Sequence, residues 1–329
     1  MKKRLYFAIL SIITFTTFGQ TDDSYKTIES EYELNEISFD SEGYRLRGYS
    51  PESRKVYSWS FSTGKQTSEV IDFSKELEKD YKSYISFSSQ NDNLFMVNNS
   101  STIILQGEKY ISTFEPKFGG QYIMPKISPN GRKILMNTSF SSSIYDTESE
   151  KEILLSLGIP SDKELACISE GKSVFSNDGN YFAFGCSNFI YVCPTQPTNS
   201  SYISPKFIID KPKNVLYRKP CFSPNSRYIS AISVEEKRDY IVVWDISKKE
   251  IAVKLEGYRF NTFCFSPDGK YVATNGSLGN SIFLWDISTG KIIKQFKGEP
   301  IDKIIFHPNE QKLVTLKNNV IKLWSLTTE

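Results

Sequence analysis

One unit of turn and strand, repeated along the chain, constrains the fold more than any other feature of this sequence. In its clearest copy, Ser266-Pro267-Asp268-Gly269 leads into an apolar run that ends at Trp285-Asp286. Pro and Gly suit a tight turn, because Pro fixes φ at about −65° and Gly tolerates positive φ. Six further segments align on this pattern, and the copies start at Phe39, Phe87, Ile127, Phe175, Phe222, Phe265 and Phe306.

The spacing inside the copies supports the alignment. The start residues are 40 to 48 residues apart, and 17 to 22 residues separate each start from the end of the third apolar run. The positions reached are all apolar or aromatic and include all 4 tryptophans: Trp59, Leu105, Tyr145, Val192, Trp244, Trp285 and Trp324. Strand-rich units of this length predict sheets arranged around an axis, each covering its neighbour's apolar face. We therefore predict an all-β fold, a seven-bladed β-propeller of four-stranded antiparallel blades.

The chain resembles the WD-repeat β-propeller family. Trp244-Asp245 and Trp285-Asp286 match the dipeptide of that family, and Trp59 and Trp324 keep the tryptophan with Ser after it. The resemblance covers about residues 25–329. It implies a divergent member, which we expect to be exported and bacterial.

The chain also departs from the pattern of the family. The Gly-His pair that members often carry before the first strand is absent, and so is the Asp before the third strand in the last two copies. The buried Trp–Ser/Thr–His–Asp network of typical members is therefore not expected, although Thr274 and Thr315 stand where its hydroxyl would be. Apolar packing is expected to stabilise the blades instead.

The two ends of the chain are expected to close the ring. The last copy has only three strands before Glu329, whereas Lys26 to Glu31 has the length of an outer strand. We predict that this N-terminal strand pairs with the strand of Val320 to Trp324, which would complete the last blade and cover two exposed sheet edges.

The N-terminus is typical of a signal peptide. A basic start, Met1 to Arg4, precedes the apolar stretch Leu5 to Phe18 and then Gly19. We predict a signal peptide over residues 1–19, a single domain over residues 20–329, and a periplasmic or extracellular protein. An uncleaved membrane anchor is the less favoured alternative, because a span needs about 20 apolar residues.

Charge and composition exclude several functions. Without residues 1–19 the chain has 37 basic and 38 acidic residues, a balance that argues against a nucleic-acid partner. The single histidine, His307, takes the Ser position of a turn, so Ser-His-Asp or Cys-His catalysis and multi-histidine metal sites are not expected. We predict no enzyme activity, no cofactor and no metal site.

The five cysteines are not expected to form a disulfide framework. Cys221 and Cys264 precede their start residues and are predicted to be small buried residues of the innermost strand. Cys186 and Cys193 are predicted to lie at opposite ends of paired strands, roughly 15 Å apart and too far for a bridge. The position of Cys167 is left open.

The mouth of the central channel is the first candidate site. The residues four before each start are Asn35, Ser83, Ile123, Gly171, Arg218, Asn261 and Asp302, and those three before are Glu36, Tyr84, Met124, Lys172, Lys219, Thr262 and Lys303. The sequence leaves open which set faces the axis. Ordinary solvated lysines at strand ends are the favoured interpretation of Lys172, Lys219 and Lys303, and an anion-attracting mouth that they form with Arg218 is the alternative.

The second candidate site is a protein-binding surface on the fifth and sixth copies. Tyr and Arg dominate protein contacts, and the loops of these copies hold the candidates Tyr217, Arg218, Arg238, Tyr240, Tyr258, Arg259 and Asn261. Tyr217 could instead be a buried strand residue. We predict a monomeric, non-catalytic platform for a protein partner, without an integral membrane segment in the mature chain. The alternative is an enzyme or small-ligand binder that takes an anionic substrate or glycan at the axial mouth.

Overall fold

A computed structural model of the chain describes residues 26–75, 77, 83–90, 95–98, 103–106, 111–114, 125–137, 142–155, 173–185, 189–197, 202–210, 212, 215–236, 238–257, 259–276, 281–297 and 300–326. The predicted signal peptide lies outside these residues, as do Cys167 and Cys186.

The described residues form 29 strands, which pair into seven sheets around an axis. Sheet 1 contains β2–β5 (Glu36–Phe39, Arg45–Ser50, Lys55–Ser60, Gln66–Asp72), and sheet 2 contains β6–β9 (Tyr84–Phe87, Phe95–Asn98, Ile103–Gln106, Ile111–Phe114). Sheet 3 contains β10–β13 and β17 (Lys126–Ile127, Lys133–Asn137, Ser142–Asp146, Lys151–Leu155, Tyr202–Ile203), and sheet 4 contains β14–β16 and β18 (Ser173–Phe175, Tyr181–Gly185, Phe189–Pro194, Phe207–Asp210).

The remaining three sheets complete the ring. Sheet 5 contains β19–β22 (Leu216–Phe222, Tyr228–Val234, Asp239–Asp245, Glu250–Gly257), and sheet 6 contains β23–β26 (Phe263–Phe265, Tyr271–Gly276, Ser281–Asp286, Lys291–Lys297). Sheet 7 contains β27–β29 and β1 (Lys303–Phe306, Lys312–Lys317, Val320–Ser325, Lys26–Glu29). Each start residue of the sequence repeat is the last residue of a first strand, and first strands of neighbouring sheets lie against one another, as β2 does against β6 and β27.

The prediction of seven four-stranded blades is wrong. In the described part of the chain, six blades have four strands, and sheet 3 is five-stranded because β17 pairs in parallel with the outer edge of β13. This strand comes from the long connection between β16 and β18, and the completely buried Ile203 anchors it in the core between sheets 3 and 4. The added strand covers an edge that would otherwise be open.

The pairing register corrects two positions of the repeat. In sheets 1, 5, 6 and 7 the residue opposite the tryptophan lies seven positions after the start residue, as Trp285 lies opposite Val272. The same ladder position is held by Cys193 in sheet 4, opposite Phe182, and not by Val192. In sheet 2 the residue opposite the start residue Phe87 is Phe95, eight positions after it, and Phe95 pairs with Gln106 and not with Leu105. A shift of one residue turns a side chain to the other face of a strand, so Val192 packs on the opposite side of sheet 4.

The ring closes through the N-terminal strand as expected. β1 pairs antiparallel with β29, from Lys26 opposite Leu323 to Glu29 opposite Val320. Two further backbone bonds extend the contact, from the Ser30 N–H to the Asn319 carbonyl at 2.9 Å and from the Leu34 N–H to the Asn318 carbonyl at 3.0 Å. Ile28 and Leu34 are buried in a core that also contains residues of β28 and β29. The N-terminal segment is thus part of the last blade.

The core lies between neighbouring sheets. The four tryptophans are each at most 6% exposed, and one cluster joins Trp324 with Ala273 and Phe296 of sheet 6. Part of the hydrogen-bond network of the family is present, since the indole N–H of Trp285 donates to Thr274 Oγ1 at 2.9 Å and that of Trp324 to Thr315 Oγ1 at 3.0 Å.

The aspartate after the tryptophan has a local role. The Asp245 carboxylate accepts hydrogen bonds from the Ser247 N–H and hydroxyl and from the Lys248 N–H, which closes the turn to β22. The Ser247 hydroxyl contributes most to holding the pKa of Asp245 low, at about 2, and Arg227 also contributes. The Trp-Asp pair thus combines a core residue with a turn-closing residue at the end of one strand.

His307 has the structural role in a turn that the sequence predicts. In sheet 4 the equivalent Ser176 hydroxyl accepts the Tyr181 N–H at 2.9 Å, and in sheet 7 His307 Nδ1 accepts the N–H groups of Asn309 and Glu310. An imidazole that accepts at Nδ1 carries its proton on Nε2, which lies 3.0 Å from the Gly43 carbonyl oxygen of sheet 1. Burial lowers the pKa of His307.

Candidate functional site

An axial channel with a volume of about 760 Å³ runs between the first strands of the sheets. The residues that line this channel show whether the set three before each start or the set four before each start faces the axis. The channel wall includes these residues three before a start: Glu36, Tyr84, Lys219, Thr262 and Lys303. Of the described residues four before a start, only Asn35 lines it. The third predicted lysine, Lys172, lies outside the described residues.

A second tier lines the channel two residues further along the strands. It consists of the residues one before six of the seven starts: Ser86, Lys126, Val174, Cys221, Cys264 and Ile305. Alternate residues of a strand share a face and lie about 6.6 Å apart along it, so this tier lies below the first one. The wall is therefore charged and polar in the first tier, and mainly apolar and thiol-bearing in the second, where Ser86 and Lys126 are the exceptions.

Cys221 and Cys264 belong to the innermost strands as predicted, but they are not core residues. Both are partly exposed on the channel wall, and both are free thiols, as is the fully buried Cys193. Burial raises the pKa of Cys221 to about 12, and it raises the pKa of Cys264 well above the usual range of a thiol. At neutral pH both groups are therefore protonated thiols, which are poor nucleophiles.

Three lysines and one carboxylate set the charge of the described channel wall. Lys303 Nζ lies 2.6 Å from Glu36 Oε2 and forms an ion pair with it, whereas Lys219 Nζ donates to the Asn261 carbonyl. Lys126 has no hydrogen bond or ion pair among the described residues. Desolvation lowers the pKa of Lys126 and of Lys219, and the positive charge of Lys303 lowers both further. The ammonium group of Lys303 thus lies within the electric field of each of the other two.

Two polar atoms of wall residues lack a partner. The Ser173 hydroxyl belongs to a side chain that is 6% exposed, and it has no hydrogen bond among the described residues. Asn35 Nδ2 donates to the Ser83 carbonyl at 3.2 Å, but Asn35 Oδ1 is buried without a partner in the same part of the structure. Buried polar groups in folded proteins are nearly always hydrogen-bonded, so these two atoms are exceptions to that rule.

A smaller pocket of about 380 Å³ lies beside the channel mouth. Arg218 and Lys219 of sheet 5, Asn261 before sheet 6 and Asp302 before sheet 7 line it. The predicted candidates Arg218 and Asn261 are thus brought together in one pocket. The guanidinium of Arg218 is half-buried, and its Nε has no partner among the described groups.

The structure corrects the prediction for Tyr217. Its side chain is 6% exposed and packs edge-on against Trp244, with 5.2 Å between ring centroids. Strand alternation turns its neighbours the other way, so Leu216 is 37% exposed and Arg218 is half-buried on the accessible face. Leu216 is an exposed apolar residue that the sequence analysis, which considered only Tyr and Arg, did not predict. The alternation of buried and exposed residues along β19 is the sequence signal that would identify it.

The other predicted contact residues share one end of sheets 5 and 6. The ladder places Leu216 opposite Val234, Val234 opposite Asp239 and Asp239 opposite Gly257, so these strand ends lie side by side. Arg238 is exposed and ion-paired with Glu256, and the half-buried Tyr240 ring carries the Lys254 ammonium at 5.4 Å from its centroid. Arg259 and Asn261 are exposed in the connection to β23, and Tyr258 lies outside the described residues.

No group of three or more His, Cys, Asp or Glu side chains within the described ranges is arranged to hold a metal ion. The part of the chain that the structure describes also contains no helix with the length and apolar character of a membrane span.

Comparison with known proteins relates both the sequence and the fold to other chains. Residues 250–286 match the family model described as "WD domain, G-beta repeat". Over 65 residues the chain is 25% identical to the Retinoblastoma-binding protein 5 homolog of Drosophila melanogaster, a match that covers 19% of this chain and 13% of that protein. The β-propeller domain of Cps50 (Swd1) from Myceliophteria thermophila superposes with a TM-score of 0.68 at 14% identity, covering 92% of this chain and 100% of that domain. The sequence match thus spans a small part of the Drosophila protein, and the structural match is one of fold.

Proposed function

This chain belongs to the WD-repeat β-propeller family, and we propose that it is an exported, non-catalytic platform for protein–protein interaction in the cell envelope or outside the cell. The propeller itself suggests an interaction scaffold. The finer statements, on export and on the lack of catalysis, rest on the leader-like N-terminus and on the chemistry of the described side chains.

The observation that carries the proposal is a mixed surface at one end of sheets 5 and 6. We call it the rim patch and define it by Leu216, Arg218, Arg238, Arg259 and Asn261. Arginine, which supplies three of its five residues, is among the residue types that carry most of the binding energy of protein interfaces. The rim patch lies on strand ends and short connections of a rigid scaffold, so a partner would meet a preformed surface.

The non-catalytic part of the proposal is supported by the position of His307. Its side chain is 2% exposed, and both ring nitrogens are engaged: Nδ1 accepts an N–H of the turn between β27 and β28, and Nε2 lies against the Gly43 carbonyl of sheet 1. The only histidine of the chain is therefore unavailable as a general base.

The experiment compares three versions of the tagged full-length chain, each cross-linked in the producing cell and purified. They are the wild type, Arg218→Ala with Arg259→Gly, and the control Lys291→Ala with Lys297→Ala on the exposed outer strand β26. Glycine is chosen at position 259 because φ there is +52°. We expect the rim-patch variant to lose a captured protein by about tenfold or more at an unchanged melting temperature. Equal capture by all three versions, or none by the wild type, would contradict the platform.

Export is tested separately in the same cells. Fractionation is expected to place the protein outside the cytosol, and mass spectrometry is expected to find a mature N-terminus near Gln20. A protein that remains in the cytosol with residues 1–19 attached would contradict export without affecting the platform.

A further inference from the structure

We propose that the axial channel is a binding site for a small organic dianion of the phosphate-monoester class, separate from the rim patch. The inference goes beyond the role as a platform, because it concerns a ligand enclosed by the ring and not a partner on its surface. It rests on the charge and the size of the channel.

The charge of the wall favours an anion with two negative charges. Among the described wall residues, Lys126, Lys219 and Lys303 contribute three ammonium groups and Glu36 contributes one carboxylate. Glu36 neutralises Lys303, with 2.6 Å between the charged atoms, and Lys219 donates to a neutral carbonyl. The described side chains of the wall therefore carry a net charge of two positive units. Partly buried like charges repel one another, and a bound dianion would remove that repulsion.

The size and polarity of the channel favour an organic ligand over a bare ion. A volume of about 760 Å³ lies within the range of roughly 300–1,000 Å³ that is common for small-molecule sites. The second tier offers apolar contacts from Val174 and Ile305 and two uncharged thiols, which suit a carbon skeleton. A phosphate group among the lysines and a carbon skeleton against the second tier would use both parts of the wall.

The chemistry of lysine points to a phosphate group. Lysine is a common phosphate ligand in proteins because its ammonium offers three donors. The excess positive charge disfavours a metal cation or a polyamine in the same space.

The test is isothermal titration of the purified full-length chain with three aromatic probes of similar size: phenyl phosphate, benzenesulfonate and phenol. We expect saturable binding of one phenyl phosphate per chain, binding of the monoanionic sulfonate that is at least about tenfold weaker, and no measurable binding of phenol. Equal affinity for phenyl phosphate and benzenesulfonate, or no saturable binding of phenyl phosphate, would overturn the proposal.

Variants locate the binding in the channel. Lys126→Met is expected to weaken phenyl phosphate binding by about tenfold or more, because it removes an unpaired ammonium and retains the length of the side chain. The matched control Lys291→Met, on the outer strand, is expected to leave the affinity unchanged. Glu36→Gln is expected to tighten binding, since it releases Lys303 from its ion pair.

A melting curve of each variant establishes that it is folded, and Lys219→Met replaces Lys126→Met if the latter unfolds. Unchanged affinity in the channel variants, or an equal loss in the control, would overturn the assignment to the channel.

Discussion

The seven sheets form two arcs that differ in how they fill the space between blades. Sheets 5, 6, 7 and 1 follow one another around the ring and carry the buried tryptophans; we call them the tryptophan arc. In the other arc, sheet 4 holds Cys193 at the ladder position of the tryptophan, and sheet 3 holds Tyr145 there.

The second arc compensates with a stack of aromatic rings. In sheet 4, Phe184 is stacked on Phe182 with centroids 6.1 Å apart and on Tyr191 at 5.2 Å, and Phe175 lies 6.2 Å from Phe182. These rings occupy one core together with Ile203 of the added strand β17. The comparison teaches that the ring requires a filled volume between neighbouring sheets, whereas the residue that fills it can change.

The largest effect is expected from breaking the tryptophan arc at its seam. Deleting residues 20–34 removes β1 together with the buried Ile28 and Leu34 and exposes the edge of β29. Loss of two buried aliphatic side chains alone costs about 4 to 10 kcal/mol, which approaches the whole stability of a typical domain. Thermal unfolding followed by circular dichroism is expected to show a protein that is unfolded or aggregated at room temperature.

A shorter deletion serves as the control for the seam. Removing residues 20–24 leaves β1 intact and is expected to leave the melting temperature nearly unchanged. If the longer deletion melts like the full chain, the N-terminal strand does not hold the ring closed.

The next effect tests the two ways of filling the core. Trp285→Ala in the tryptophan arc and Phe182→Ala in sheet 4 are each expected to lower the free energy of unfolding by about 3 to 5 kcal/mol. Cys193→Ala, at the ladder position of the tryptophan, is expected to cost only about 1 kcal/mol because the thiol fills little volume. Urea titrations of the three variants measure this order. A loss for Cys193→Ala as large as that for Trp285→Ala would show that the position itself matters, and not the filled volume.

The repeat was predictable from the sequence because each copy carries its own turn and its own bulky residue. The residues at the ladder position of the tryptophan in sheets 2 and 4 were not predictable in this way. Counting from the start residue cannot detect a shift of one residue when no tryptophan marks the register. The strand β17 was missed for a related reason. Tyr202 and Ile203 pair with a strand of a different copy. Because no other copy has an equivalent strand, comparing the copies with one another could not predict it.

The candidate site was predictable in part. The repeat register identifies Lys219 and Lys303 as equivalent positions, three residues before a start. It does not tell whether this set or the set four before a start faces the axis, and the structure is needed to decide that. Lys126 was missed, because it is one residue before a start, where other copies have Ser, Val, Cys or Ile. The burial of Tyr217 depends on its contact with Trp244, which lies 27 residues further along the chain.

A smaller effect distinguishes the turns of the two arcs. Gly43 of sheet 1 and Gly179 of sheet 4 occupy the same turn position with φ of +80° and +69°. A Cβ on Gly43 would lie 2.4 Å from Cε1 of the buried His307, whereas one on Gly179 would lie 3.9 Å from its nearest neighbour, Asn130. Both alanine variants bear the cost of positive φ, but only the one at Gly43 also crowds a buried side chain. Gly43→Ala is therefore expected to be less stable than Gly179→Ala by about 1 to 3 kcal/mol. Equal melting temperatures would mean that His307 moves aside freely.

The smallest effect is a dependence of stability on pH that comes from His307 in the tryptophan arc. In the folded state His307 accepts two N–H groups at Nδ1 and has a lowered pKa, so the unfolded chain binds a proton at this residue more readily than the folded one. The stability that His307 contributes is therefore fully present above the ordinary histidine pKa of about 6.5 and is lost as the pH falls from there towards the folded-state pKa. His307→Ser gives sheet 7 the turn residue that sheet 4 has in Ser176, and it removes the only histidine. Urea unfolding between about pH 7.5 and pH 5 is expected to show a steeper loss of stability in the wild type than in His307→Ser. Because carboxylates titrate in both proteins, it is the difference between the two slopes that measures the histidine, and parallel slopes would show that His307 titrates alike in the folded and unfolded chain.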